Sequence, residues 1–192
     1  MIAIIKYNGG NVNSVQNALN RLNAESVITD DFEIIKKADK VIFPGVGEAS
    51  STMRNLQVKG LDQLIPDLKQ PVLGICLGMQ LLCGNNEEGD TKGMGIFDIN
   101  VKKFPARDLV PHMGWNTITS LDSPLFSGVE QGSDVYFVHS FYCELSRNTT
   151  SVCDYILPFS ASLQKDNFFA MQFHPEKSGA TGSLLLNNFL KL

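Results

Sequence analysis

Positive charge is scarce in this chain and nowhere concentrated: 16 lysines and arginines stand against 20 aspartates and glutamates, for a formal net charge of −4. Nucleic acid and anionic membrane are therefore not expected partners, because both are recognised through clustered basic side chains. Long apolar runs are missing too, none approaching the roughly 18 residues that would span a bilayer. The opening segment, Met1-Ile2-Ala3-Ile4-Ile5-Lys6-Tyr7, is too short for the apolar part of a secretion signal and lacks a basic leader. It reads as a first strand, and a cytoplasmic location is expected. Cysteine occurs only at 76, 83, 143 and 153, with no C-x-x-C pair, which indicates neither a zinc knuckle nor a disulfide framework. Histidine occurs three times, so the search for a catalytic base narrows to His112, His139 and His174. Against these shortages, 43% of the 192 residues are hydrophobic and 19% charged, the balance of one globular domain over residues 1–192 whose core needs no disulfide or metal support.

Short β-rich runs alternate with helical patterns through the first half: Ile2 to Lys6, a polar helix over Val12 to Leu22, Ser26 to Thr29, then Lys40 to Phe43. Such alternation predicts an α/β fold, a central, mostly parallel (mixed) sheet flanked by helices. Val41-Ile42-Phe43 stops at Pro44-Gly45-Val46-Gly47, and a helix is expected from Glu48 or Ala49. From Gly95 to Ser120 and from Val135 to Glu144 the pattern is of strands and long loops, expected as antiparallel pieces added to the sheet. Phe168 to Phe173 reads as a buried strand running into His174-Pro175-Glu176, and a closing amphipathic helix is predicted over Thr181 to Leu190.

The most informative segment is Gly74-Ile75-Cys76-Leu77-Gly78, which follows the apolar Pro71-Val72-Leu73. A cysteine bracketed by glycines at the end of a strand has the form of a nucleophile elbow, where the chain turns sharply into a helix and presents the central side chain at the sheet edge. Unpaired N–H groups at the helix start favour thiolate over thiol there. Cys76 is thus the expected nucleophile. Its base is His174: Pro175 biases the histidine to an extended conformation, and positions i and i+2 of an extended segment project to one side, so Glu176 should lie beside the imidazole. The pair Cys76 and His174 is separated by 174 − 76 = 98 positions, and strand-end placement of both is what makes their meeting expected. Acyl transfer further needs two N–H donors for the developing oxyanion, and the Pro44 to Gly47 loop and Leu77 can each offer one. The same loop lacks the Gly-Lys-Ser/Thr of a phosphate cradle, and a metal held by Cys76, His174 and Glu176 would leave the elbow glycines unexplained. Cys83, Cys143 and Cys153 have no such setting and read as packing residues. His112, in Pro111-His112-Met113-Gly114-Trp115-Asn116, reads as part of a turn with an aromatic anchor, with a partner surface as the functional alternative. His139, in an aromatic-rich strand, reads singly as a satisfied core histidine.

Taken together, Pro44-Gly45-Val46-Gly47, Gly74-Ile75-Cys76-Leu77-Gly78-Met79-Gln80 and Gln172-Phe173-His174-Pro175-Glu176 resemble, in order, the motifs of class I (triad) glutamine amidotransferases, over nearly the whole chain. Pro111 to Asn116, Tyr136 to Ser140 and the continuation through Lys177, Ser178 and Gly179 are similar to the branch of glutaminase subunits that serve imidazole glycerol phosphate synthase. The resemblance implies a Cys76, His174, Glu176 triad acting on glutamine through a γ-glutamyl thioester, with Gly47 and Leu77 as oxyanion-hole donors. It also implies glutamine recognition by Gln80, Glu88, His139, Ser140 and Phe141. No metal or organic cofactor is implied. Because no second domain follows, the resemblance implies a heterodimer with a (β/α)8-barrel cyclase subunit that uses the ammonia, and Asn11, Asn13, Trp115 and Lys177 are the candidate interface residues. A different ammonia-accepting synthase, a non-catalytic scaffold for the cyclase and a free-standing hydrolase of γ-glutamyl compounds are the competing readings. One departure from the family stands at Tyr155-Ile156-Leu157, where related chains commonly carry Tyr-Gly; isoleucine there suggests a different turn, because a backbone angle open to glycine is costly for a β-branched residue.

Overall fold

The computed structural model describes residues 1–7 and 11–192. The first half alternates as expected: β1 Ile2–Ile5, α1 Val12–Arg21, β2 Ser26–Thr29, α2 Phe32–Lys37, β3 Lys40–Gly45, α3 Ala49–Lys59, α4 Leu61–Asp67, β4 Val72–Cys76 and α5 Leu77–Leu82. Short strands follow: β5 Asn85–Asn86, β6 Thr91–Lys92, β7 Asn100–Lys103, β8 His112–Thr117, β9 Asp134–His139 and β10 Phe141–Cys143. A hairpin of β11 Thr149–Tyr155 and β12 Leu157–Lys165 leads to β13 Phe168–Met171 and the closing α6 Gly179–Leu190. Helices α2 and α4 were not apparent from periodicity. The first is a single six-residue stretch capped by Asp31, whose carboxylate accepts from the N–H groups of Glu33 (2.8 Å) and Ile34 (3.1 Å).

Among the described residues, seven strands form the central sheet in the order β11-β12-β13-β4-β3-β1-β2. The pairs β1/β2, β1/β3, β3/β4 and β4/β13 are parallel, while β12 and β11 add an antiparallel edge. This corrects the expectation for the second half. Thr119 reaches the central sheet through an antiparallel bridge to Val152 of β11, but the strands of segments 95–120 and 135–144 build two small sheets, β10-β7-β5-β6, shared with residues 85–92, and β8-β9. The antiparallel extension comes instead from residues 149–165, whose alternation of small polar and apolar residues carries little hydrophobic signal.

Side chains alternate between two apolar layers. Ala3, Ile5, Val41, Phe43, Val72 and Ala170 face a cluster completed by α2, α3, α4 and α5, whereas Ile2, Ile4, Ile42, Leu73, Ile75 and Met171 face one completed by α1 and α6. The two-residue period of a strand produces this split, and burial on both faces is why the parallel strands read as continuous apolar runs. Cys76 breaks the alternation. By parity it belongs with Val72 and Gly74, yet it joins the layer of Ile75, because its backbone turns to φ 54°, ψ −112°.

The turn at Ile156 also differs from expectation. Isoleucine there holds φ 61°, a left-handed conformation, so the geometry suited to glycine is kept and not replaced. Such a conformation costs an L-residue roughly 1–2 kcal/mol. Partial burial of the Ile156 side chain against the α1/α6 layer offsets it.

Candidate active site

Strand register assembles the site. Gly45 of β3 pairs with Cys76 of β4, so the chain leaving β3 through Val46 and Gly47 emerges beside that cysteine. On the other side Met171 of β13 pairs with Ile75, and three residues later the chain reaches His174. Loops from both neighbours of the central strand therefore converge on Cys76 at the carboxyl edge of the sheet, where open α/β sheets carry their sites.

The elbow is made possible by glycine at one very close approach. A Cβ on Gly78 would lie 2.0 Å from the Phe43 carbonyl oxygen, so α5 rests almost directly on β3. Gly47, at φ 105°, has open space around it; its requirement is conformational. The loop before it is clipped from behind by Tyr7, whose hydroxyl donates to the Pro44 carbonyl at 2.7 Å. Burial and the proximity of Cys76 push the Tyr7 phenol well above its ordinary value, so it stays a neutral donor. Nothing in the sequence marked Tyr7 for this position.

His174 Nδ1 lies 2.8 Å from Glu176 Oε1, with both side chains almost fully enclosed. The pairing is as expected but its geometry is not. His174 itself is extended (φ −98°, ψ 96°), whereas Pro175–Lys177 form a 3-10 turn, so Glu176 reaches the ring by curling back and not by same-side projection along a strand. The histidine backbone is pinned to β9: its N–H donates to Tyr136 O (2.9 Å), and Ser178 Oγ donates to His174 O (2.7 Å) while accepting from Tyr136 N (2.9 Å). Burial opposes charge on the imidazole, but hydrogen bonds to Cys76 and Glu176, reinforced by their negative charge, outweigh it and raise His174 to about 10. Glu176 Oε2 is buried and has no hydrogen-bond partner among the described residues.

A cavity of about 330 Å³ opens onto the sulfur and is lined by Gly47, Cys76, Leu77, Gln80, Glu88, His139, Ser140, Phe141, His174 and Lys177. Glu176 stands behind His174 and does not line it. Glu88 accepts from Ala49 N at 2.8 Å, so it caps α3 beside the Pro44 to Gly47 loop, and burial raises its carboxyl. Gln80 is turned inward: its amide nitrogen donates to Phe141 O (2.9 Å) and Gln172 Oε1 (3.0 Å), which occupies both hydrogens and leaves the amide oxygen. That oxygen lies 3.4 Å from Asn86 Nδ2.

Two contacts at the sulfur were not anticipated. Gln172 Nε2 donates to Cys76 Sγ at 3.7 Å, and the thiol reaches the Val138 carbonyl at 3.7 Å. Gln172 opens the Gln172-Phe173-His174-Pro175-Glu176 motif, and its position two residues before His174 is the available signal. Among the interface candidates, Lys177 lines the cavity rim and lies 5.9 Å from the Tyr136 ring, on which Trp115 also packs edge-on. Trp115 is exposed, as is Asn13; Asn11 is half-buried at the start of α1, away from the cavity lining. Of the remaining cysteines, Cys83 and Cys143 are buried with their sulfurs 3.6 Å apart, and Cys153 is buried alone.

A cysteine at a strained strand-to-helix turn, a histidine and carboxylate from the neighbouring strand, and a glycine loop opposite define a nucleophilic amidohydrolase site on a mixed α/β sheet. Residues 3–192 match the family model described as glutamine amidotransferase class-I, and the chain belongs to that family. It is 58% identical over 194 residues to the imidazole glycerol phosphate synthase subunit HisH of Bacteroides fragilis strain YCH46, covering all of this chain and 99% of the relative. The protein of the same name from Bacteroides thetaiotaomicron is also 58% identical, with the same coverage. Among solved structures, PurLQS from Thermotoga maritima superimposes with a TM-score of 0.72 at 17% identity, covering 99% of this chain and 97% of that one, a likeness of fold.

Proposed function

We propose that this chain is the glutaminase subunit of an imidazole glycerol phosphate synthase in histidine biosynthesis, hydrolysing glutamine to glutamate and ammonia and passing the ammonia to a (β/α)8-barrel cyclase subunit. The observation that carries the chemistry is the convergence of Gly47, Cys76, Leu77 and His174 on one cavity through the registers of β3 and β13 against β4. Full-length similarity to relatives named as such subunits supports the choice of synthase.

In the reaction, the Cys76 proton has already passed to His174 Nε2, in keeping with the raised imidazole, and the Sγ of this thiolate–imidazolium pair attacks the side-chain carbonyl carbon of glutamine. The charged imidazole is stabilised by Glu176 through Nδ1, the arrangement that keeps the ring in the tautomer able to accept at Nε2. Negative charge on the substrate oxygen is met by the N–H groups of Leu77 and Gly47, and each such donor is worth roughly 10²- to 10³-fold in rate. Collapse expels ammonia, protonated by His174, and leaves a γ-glutamyl thioester on Cys76. Water, deprotonated by the same imidazole, then releases glutamate. The exposed Trp115 and the rim residue Lys177, with Asn11 just before α1 and Asn13 on it, form the surface offered to the cyclase. Enclosure of Cys76, 7% exposed as a residue, limits the access of bulk water to the thioester.

Reconstitution with a cyclase subunit tests this. Cys76→Ala is expected to lose at least about 10⁴-fold in glutamine-dependent synthesis while synthesis from added ammonia persists. Retained glutamine-dependent synthesis would identify the chain as a scaffold, and full glutaminase turnover without any partner would identify a free-standing hydrolase.

A further inference from the structure

His112 and His139 are buried titratable groups that the reaction above does not use, and they are in contact. His112 Nδ1 lies 2.9 Å from His139 Nε2, His139 Nδ1 lies 2.8 Å from Phe141 O, and His112 Nε2 lies 3.2 Å from Asn116 Nδ2. Only one assignment of protons satisfies every link. The Phe141 carbonyl can only accept, so His139 carries its proton on Nδ1 and its Nε2 accepts. His112 must then donate from Nδ1 and accept at Nε2, which the Asn116 amide nitrogen supplies with one hydrogen while the other goes to Asp154 O at 3.2 Å. The Asn116 oxygen is already committed to Thr117 N at 2.7 Å, so the amide cannot reverse without losing that bond.

The far end of this chain is the glutamine pocket. His139, Ser140 and Phe141 form the bend between β9 and β10 that lines the cavity, and the Phe141 carbonyl is held from two sides, by His139 Nδ1 and by Gln80 Nε2. Gln80 in turn orients Gln172, which donates to the Cys76 sulfur. We propose that His112 is a positioning residue: by locking His139 in its Nδ1–H tautomer it holds the 139–141 bend and the Gln80 amide in the form that receives glutamine. The proposal rests on the glutaminase reading for its substrate, while the tautomer lock stands on geometry alone.

The surroundings favour neutral rings throughout. His112 is stacked between Phe137 (4.7 Å) and Tyr155 (4.0 Å), with Phe104 and Phe159 edge-on, and burial lowers it to about 4. Burial lowers His139 to about 3 against a smaller opposing pull from the Phe141 carbonyl, and any positive charge on His112 or His174 would lower it further. The titratable groups facing the pair are thus Tyr155 and His174; Asp154 contributes its carbonyl. Protonating either ring would turn an acceptor into a second donor and break the chain at its neighbour.

His112→Phe keeps the stack and removes the donor, leaving His139 Nε2 without a partner. Glutamine KM is expected to rise on the order of tenfold with kcat within about twofold, since the reacting groups are untouched. His112→Asn places an amide N–H where Nδ1 stood and should recover KM to within about threefold of the native protein. An unchanged KM in His112→Phe, an equal loss in both variants, or a fall confined to kcat would overturn the proposal. Nitrogen NMR of the native protein labelled at histidine gives a readout free of activity and of variant folding. Both rings should be in the Nδ1–H form and should not titrate between about pH 5.5 and about pH 8.5, and an Nε2–H form of either would overturn the lock. Native protein that hydrolyses no glutamine, with or without partner, would refute the glutaminase reading, and the NMR result would still decide the relay.

Discussion

His139 and His174 line one cavity and His112 is bonded to His139, yet the three are shifted in opposite directions, although burial works against charge at all three. His174 meets a thiol and a carboxylate and is held at about 10; His112 and His139 meet each other, an amide and a carbonyl, and fall to about 4 and about 3. The difference lies in partners and not in depth. The histidine to which the proposed reaction gives a proton to accept and return is surrounded by groups that gain from its charge, whereas the two proposed to hold a binding loop are surrounded by groups that gain from a fixed neutral tautomer.

Replacing the carboxylate is the strongest way to break this contrast. Glu176→Gln leaves His174 with a neutral neighbour like those of His139 and is expected to lower glutaminase kcat by about 10²- to 10⁴-fold, measured with the partner present. A loss under tenfold would mean that the thiol alone sustains the imidazolium. Where the two regions join, Gln172→Leu removes the N–H that reaches the sulfur and the acceptor that orders Gln80. Turnover should drop by roughly tenfold to a hundredfold, with the rate of Cys76 alkylation at neutral pH falling alongside; alkylation at the native rate would refute a role for Gln172 at the sulfur.

The contrast also predicts a stability profile with two limbs. A folded-state value of about 10 for His174, above the ordinary value of about 6.5, means a contribution fully present below about pH 6.5 and lost as pH rises toward 10. For His112 and His139, lowered to about 4 and about 3, the contribution is complete above about pH 6.5 and lost as pH falls through those values. Urea unfolding across pH should therefore show a shallower alkaline limb in Glu176→Gln and a shallower acid limb in His112→Phe. Parallel profiles for both variants and the native protein would remove the basis of the comparison. The smallest effect is expected at Ile156, next to the Tyr155 ring that stacks on His112. Ile156→Gly relieves a left-handed strain and gives up partial burial, and the net change in unfolding free energy should stay under about 1 kcal/mol. A loss of several kcal/mol would show that the isoleucine packing, and not the turn, holds Tyr155 in place.

Much of the site was legible because its signals are local. Glycines at 74 and 78 mark a close approach and a bend whatever surrounds them, and Pro175 restricts His174 wherever it sits. Motif resemblance supplied Gln80, Glu88 and the 139–141 bend as pocket residues. What escaped were roles that depend on distant segments. Tyr7 reaches Pro44 across 37 positions, Gln172 reaches Cys76 across 96, and the bond between His112 and His139 depends on the pairing of β8 with β9. The second-half strands were expected on the central sheet and, apart from the Thr119 bridge, form sheets of their own, for the same reason: alternation identifies a strand but says nothing of its neighbour.

The amino-acid sequence by itself determined the class of fold and singled out Cys76 at its strand-to-helix bend and His174 with Glu176 beside it, because backbone freedom, side-chain period and residue chemistry act over a few positions. Tertiary structure alone decided that Gly45 stands beside Cys76 and Met171 beside Ile75, which histidine is charged and which two are locked neutral, and how Glu176 curls onto its partner. Those outcomes follow from strand register and from the partners that burial brings within hydrogen-bond distance, and both are properties of the packed chain.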